Sequence, residues 1–374
     1  MSFRTWIADN WDPELSIRAW RTLLADSGWA FAAAELAAAG VPGPPDGVGA
    51  SLVVPVLLEH GSDDLQSRFI RPTLTGEITW CQLFSEPGAG SDLAGLSTRA
   101  VRDGTRWLVT GQKVWSTGAK TADYGLLLAR TDTGVPKHRG ITAFVLPMRQ
   151  PAVQVRPLRQ MNGHSSFNEV FFDGASAPDG NVIGELGGGW TVALTTLARE
   201  RRLAAFRPGS PQAGRAWREA LEERTAAAEP HKWYPQRAGR PELVVPQARA
   251  NGKDTDPVTR QAISRLTETT MSARWTSERR RANPADGSLG KLASSDIARQ
   301  SARVHGSIAG AAGMLAGPQA PLSGTIAEIL VSVPGISIAG GTDEIQHTII
   351  GERVLGLPRE PDVSKDVPFR DVRR

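Results

Sequence analysis

Apolar residues recur at three-and-four spacing through the first 79 residues, in "ELSIRAWRTLL" and "ASLVVPVLLEHG", which predicts amphipathic helices. The intervening "AAAELAAAGVPGPPDG" reads as a short alanine helix running into a Pro-Gly loop. Between residues 80 and 184 the pattern changes. "TRWLVTGQKVW", "YGLLLARTD", "GITAFVLPM", "VQVRPL" and "NEVFFDGA" are short β-rich runs separated by Gly, Asp, Asn and Pro. Helical periodicity returns over 185–374, in "GWTVALTTLARERRLAAF", "RQAISRLTETTMSARWTSERRRA", "SSDIARQSARVHGSIAGAAGML" and "DEIQHTIIGERVLGL". A proline-rich excursion over 207–257 interrupts it, with one plausible short helix in "AWREALEERTAAA". Helices, then strands, then helices is an α+β arrangement with a central sheet, not the alternating order of a doubly wound fold.

The chain has 374 residues, 40% hydrophobic and 22% charged, as expected of a multi-domain globular enzyme. No run suggests the roughly 20 apolar residues of a membrane span, and the N-terminus lacks the apolar core of a signal peptide. Cys81 is the single cysteine, so no intramolecular disulfide can form and a cysteine zinc site is disfavoured; the cytoplasm is the expected compartment. The net charge of +4 is dispersed, and its one dense run, "SERRRAN", lacks an aromatic platform, which argues against nucleic acid.

Four stretches carry candidate chemistry. "CQLFSEPGAGSDL" (81–93) is a glycine turn able to aim successive N–H groups into one concavity, suited to a phosphate or a flavin carbonyl. An ordinary turn explains it equally well in isolation. "GQKVWSTGAKTADY" (111–124) places Trp115 and Thr117 two apart in a predicted strand, hence on one face, where indole and hydroxyl would wall a flat ring. "IAGGTDEIQHTIIGERVLGLP" (338–358) reads as a flexible turn, a Thr342 cap, acidic residues in the first turn and an apolar stripe, which helix grammar alone accounts for. "LTTLARERRLAAF" (194–206) puts Glu200 on a largely apolar helical face beside Arg199, Arg201 and Arg202. Two readings stand for Glu200: a structural ion pair, or a general base whose pKa burial raises.

Taken together and in this order, "SEPGAGSD", "GQKVWSTGA" and "GGTDEIQ...ERVLGLP" resemble the acyl-CoA dehydrogenase family, over about residues 51–360. The resemblance implies an N-terminal helical domain (1–79), a central β-barrel-like domain (80–184) and a C-terminal four-helix bundle (185–374), with FAD bound non-covalently. It also implies site residues. Gln82, Phe84 and Ser85 would meet the isoalloxazine edge, and Gly90 and Ser91 the pyrophosphate or CoA side. Trp115 would flank the ring, Thr117 would bond near N5, and Thr342 and Glu344 would also contact FAD. The family reaction removes the α-proton of an acyl-CoA thioester while the β-hydride goes to flavin N5, and electrons pass to an electron-transfer flavoprotein. Many members carry the base directly before the Gly-Thr of the last motif, where this chain has Gly340. Others carry it on the first helix after the β domain, before an arginine; Glu200 and Arg201 match that position.

The short N-terminal region and the 207–257 excursion depart from the family pattern, which leaves the acyl group open. A bulky, steroid-derived acyl-CoA is one expectation. Two alternatives accompany an active dehydrogenase: a non-catalytic or half-competent subunit of a heteromeric acyl-CoA dehydrogenase, in a homo- or heterotetramer, and a flavin-dependent oxygenase or oxidase on the same fold. His164 and His347 show no metal-ligand spacing, so no metal is expected.

Overall fold

The computed structural model describes residues 2–203, 212–279, 285–361 and 364–372, without the side chains of 201–203. Two compact units emerge, one built from residues up to 159, 165–229 and the C-terminal segment from 362, the other from 160–164 and 230–361.

In the first unit, helices α1 (Phe3–Asn10), α2 (Ile17–Ser27), α3 (Ala33–Ala39), α4 (Val54–His60) and α5 (Asp63–Thr75) precede the sheet. Three begin at serines, Ser2, Ser16 and Ser62, each side chain accepting a backbone N–H three residues on. The alanine run forms α3 and stops at Gly40, in the left-handed conformation that a helix C-terminus favours.

Eight strands follow: β1 (Trp80–Leu83), β2 (Arg99–Asp103), β3 (Arg106–Lys113), β4 (Tyr124–Arg130), β5 (Ile141–Pro147), β6 (Val153–Leu158), β7 (Phe167–Pro178) and β8 (Val182–Ile183). They form one sheet in the order β6-β7-β3-β2-β4-β5-β8, with β1 parallel to β4. The five runs visible in the sequence became β3 to β7. The short β1, β2 and β8 carry too few alternating positions to be seen beforehand.

The continuous apolar runs of β4 and β5 are buried on both faces. Leu126 and Leu128 point into a core shared with α4, α5 and the helix after the sheet, whereas Leu127 and Ala129 point into a second core with Trp107, Phe144 and Phe172. One edge of β4 is taken by β5. The other is shared: β1 pairs along Tyr124–Leu127, and β2 touches only at Arg130. Residues 84–98, including the glycine turn, leave the sheet in the gap between β1 and β2.

Helix α6 (Gly189–Leu203) carries Glu200, and α7 (Arg215–Ala228) is the helix predicted within the proline-rich excursion. The described part of the excursion is more ordered than its composition suggests. Trp217 is buried and donates its indole N–H to Gly40 O at 2.8 Å. Glu219 accepts from Ile17 N at the start of α2 (2.8 Å), and Glu223 pairs with the buried Arg21 (2.6 Å). Residues 204–211, which include the first five of the excursion, lie outside the described residues.

The second unit holds α8 (Tyr234–Arg237), α9 (Val244–Ala250), α10 (Pro257–Glu278), α11 (Asp286–Ala309), α12 (Thr325–Ser332), α13 (Pro334–Ile338) and α14 (Asp343–Ile349). By length and composition alone, Pro321–Val354 is apolar enough to cross a membrane, contrary to the expectation from the sequence. The helices inside that stretch are only 8, 5 and 7 residues long. Pro334 and the Gly340–Gly341 turn divide them.

Candidate functional site

The gap between β1 and β2 brings the first two motifs together. Gln82 and Ser85 are half-buried, Gly90 and Ser91 exposed, and Phe84 only 4% exposed. The Phe84 ring packs into the helix-side core, so any contact from it to a ligand comes from its main chain. Glu86 and Ala89 close the turn with reciprocal N–H to C=O bonds of 3.1 Å. Gly88 and Gly90 are not in the left-handed region, and an added Cβ at either would enter open space. Among the described residues nothing requires glycine at either position.

The strand predicted through Trp115 and Thr117 ends instead at Lys113. Trp115 has φ +63° and is 56% exposed, so the two residues do not share a strand face. A bulky residue in the left-handed region costs roughly 1–2 kcal/mol, and its surroundings hold it there. On one side Val114 N donates to Ser85 O (2.9 Å). On the other, Ser116 N donates to Asn168 O (3.1 Å), and Asn168 Nδ2 returns a bond to Ser116 O (2.9 Å). Phe167 meets the indole edge-on, with ring centroids 5.6 Å apart. Thr117 is half-buried in the turn that follows.

Beneath this surface lies a pair that the sequence reading did not single out. Lys113 is fully buried, and its Nζ donates to Glu86 Oε1 and to Phe84 O, both at 2.9 Å. Glu86, also buried, accepts from Ser97 N (2.7 Å), Ser97 Oγ (3.0 Å) and Thr98 N (2.9 Å). Burial alone would raise the Glu86 pKa, but the Lys113 charge and these donors override it and bring it down to about 2. Burial pulls Lys113 down to about 8, with Glu86 opposing and Arg130 assisting. Both residues stand inside the quoted motifs. The signal that would have found them is an acid in one motif and a base in the other, 27 positions apart.

The far side of the turn is held by Arg130, 3% exposed, which donates to Ala94 O (2.7 Å) and Leu96 O (3.0 Å). Phe369, from the C-terminal segment, lies 3.4 Å from that guanidinium. Lys137 contacts both carboxylate oxygens of Asp92 at 3.0 Å.

On α6, Glu200 is half-buried, one turn beyond the fully buried Thr196 and the half-buried Leu197. Arg199 pairs with Glu59 of α4 at 3.6 Å, and Thr195 donates to the same carboxylate at 3.1 Å. Arg201 lies on the helix, but its side chain is outside the description, as is that of Leu203; Ala204 is wholly outside the described residues.

Thr342 and Glu344 belong to the second unit. Thr342 caps α14, accepting from Ile345 N at 3.2 Å, and Glu344 is exposed in its first turn. The backbone N–H of the helix start, with Thr342, lowers the Glu344 pKa. Helix grammar does not suffice for Asp343. It is buried and bonded to Lys291 (2.6 Å) and Arg299, which, with Ser295 and Ser337, hold its carboxyl well below the usual range against the effect of burial. Gln346 Nε2 donates to Gly340 O and Gly341 O, each at 3.3 Å. Gly341, at φ +85°, approaches so closely that an added Cβ would sit 2.6 Å from that nitrogen.

The first unit thus offers an exposed Trp115 in the left-handed region, tied through Val114 to Ser85 at the base of the glycine turn. The family models for the acyl-CoA dehydrogenase middle domain and C-terminal domain match residues 81–175 and 259–355. Acyl-CoA dehydrogenase IpdE1 of Mycolicibacterium smegmatis is 33% identical over 349 residues, 87% of this chain and 79% of its own. Acyl-CoA dehydrogenase FadE34 of Mycobacterium tuberculosis is 53% identical over 167 residues; the match spans 45% of this chain but only 23% of that protein. Among solved structures, the Tcur3481-Tcur3483 steroid ACAD aligns with TM-score 0.66 and 27% identity, over 92% of this chain and 89% of that one. The ChsE4-ChsE5 complex from Mycobacterium tuberculosis aligns with TM-score 0.67 and 25% identity, over 92% and 90%.

Proposed function

The chain belongs to the acyl-CoA dehydrogenase family, and from that premise we propose that it desaturates a bulky, steroid-derived acyl-CoA thioester at the α,β bond, with Glu200 as the base. FAD, the cofactor of the family, supplies the hydride acceptor when bound. Gln82, Ser85, Trp115 and Thr117 position the ring, with the main chain of Phe84; Gly90 and Ser91 border the phosphate or CoA side. Thr342 and Glu344 are also proposed to contact FAD. Glu200 takes the α-proton.

The observation that carries the base assignment is chemical. Position 340 is a glycine, so the last motif offers no carboxylate there, whereas α6 presents a half-buried glutamate directly before Arg201. Thioester α-protons are weakly acidic, so the base has to be accurately placed and poorly solvated. Arg201 is proposed to orient Glu200 or balance its charge.

The steroid class rests on the likeness to a solved steroid ACAD, the Tcur3481-Tcur3483 protein. An electron-transfer flavoprotein is the proposed acceptor. A second reading is favoured by the exposed Ile338, Leu355 and Leu357 around α14: the chain works as one subunit of a homo- or heterotetramer. Two similar structures carry paired names. Purification of the chain alone, with FAD content and anaerobic titration by a panel of acyl-CoAs, separates the readings. Stoichiometric FAD and bleaching by one acyl class support an active dehydrogenase, whereas a colourless protein supports dependence on a second subunit. Rapid oxygen consumption by the reduced protein would instead indicate an oxidase or oxygenase.

A further inference from the structure

We propose that Lys113 and Glu86 act as a positioning pair, fixing Trp115 and the Phe84–Ser85 main chain as one wall for the flavin ring; this rests on the flavin-dependent reading above. The two motifs that build the wall are far apart in sequence and meet at few places. One is the Val114 N to Ser85 O bond. Another is the Lys113 ammonium, which bonds to both the Phe84 carbonyl and the Glu86 carboxylate.

The carboxylate is saturated. Ser97 N, Ser97 Oγ, Thr98 N and Lys113 Nζ all converge on it, which ties the end of β1, the start of β2 and the end of β3 to one point. Such a buried pair is weak evidence for stability, because desolvation offsets most of its attraction. Its geometry accounts better for specificity of conformation. Trp115, two residues beyond Lys113, holds a left-handed φ that an unrestrained tryptophan would leave. The Lys113 side restrains the chain before it, and the reciprocal Ser116–Asn168 bonds restrain the chain after it. Releasing the first restraint lets the indole relax away from its place while the sheet beneath stays paired. Neither charged residue needs to touch the flavin, so both are positioning residues.

The test is the neutral double variant E86Q/K113M, which avoids leaving one buried charge alone, with E86Q as the second variant should the double fail to fold. Both are loaded with FAD and compared with the parent protein by thermal unfolding, the visible circular dichroism of bound flavin, and kcat and KM for the acyl-CoA that reduces the parent. Positioning predicts a folded protein with altered flavin dichroism. It also predicts kcat lower by on the order of a hundredfold, as for a reacting group misplaced by about an ångström, with KM little changed. A merely structural pair would lower the melting temperature yet leave the dichroism and kcat of the folded fraction at parental values; that result overturns the inference. If the parent holds FAD but oxidises no acyl-CoA, the functional reading fails while the dichroism still decides the role of the pair.

Discussion

Protonating Glu86 should cost the fold a measurable and assignable share of its stability. Its carboxyl accepts four bonds in a buried site and its pKa falls from 4.5 to about 2. Because the folded pKa lies below the unfolded one, the stabilisation is fully present above pH 4.5. It is lost as pH falls toward 2, where the unfolded chain binds the proton first. At 1.36 kcal/mol per pKa unit, the shift corresponds to about 3 kcal/mol. Urea unfolding of the parent protein and of E86Q at steps from neutral pH down through that window isolates the contribution, since every other carboxylate is common to both. The parent curve should fall more steeply, and the gap between the two should shrink by about 3 kcal/mol across the window. Parallel curves would refute the reasoning, because they would mean that Glu86 is not ionised against Lys113 in the fold.

Lys113 gives the opposite limb. Its folded pKa of about 8 lies below the ordinary 10.5, so between those values the unfolded chain holds the extra proton and stability rises with pH; K113M should abolish that rise in an alkaline urea series. Trp217→Ala removes a buried indole and its bond to Gly40 O, and calorimetry should show a loss of about 3–5 kcal/mol. Leu127→Ala, which opens a cavity in the β3/β4/β7 core, should cost about 2–5 kcal/mol by the same measurement.

Much of the architecture was legible because it depends on short-range pattern. The runs that became β4 and β5 are apolar without interruption, as strands covered on both faces must be, and "AWREALEERTAAA" became α7 as its periodicity predicted. What escaped depends on partners distant in sequence. The docking of α7 rests on Trp217 finding the Gly40 carbonyl, 177 positions away. Lys113 looked like any strand lysine bound for solvent, and only its encounter with Glu86, 27 positions earlier, explains its burial. Alternation along "GQKVWSTGA" gave no sign that the strand stops before Trp115. A residue takes a left-handed φ because its neighbours are anchored, and those anchors lie elsewhere. For Glu200, the helical periodicity placed Thr196 and Leu197 one turn before it, but the pairing of Arg199 with Glu59 depends on the packing of α4 against α6.

The central claim is that Glu200 removes the α-proton, and its most direct measurement is anaerobic titration of the FAD-loaded protein and of Glu200→Gln with the same acyl-CoA panel. The account predicts that one bulky acyl class bleaches the parent flavin, while Glu200→Gln binds that ligand, perturbing the flavin spectrum, without reduction. Bleaching of Glu200→Gln at the parental rate would contradict it and place the base elsewhere.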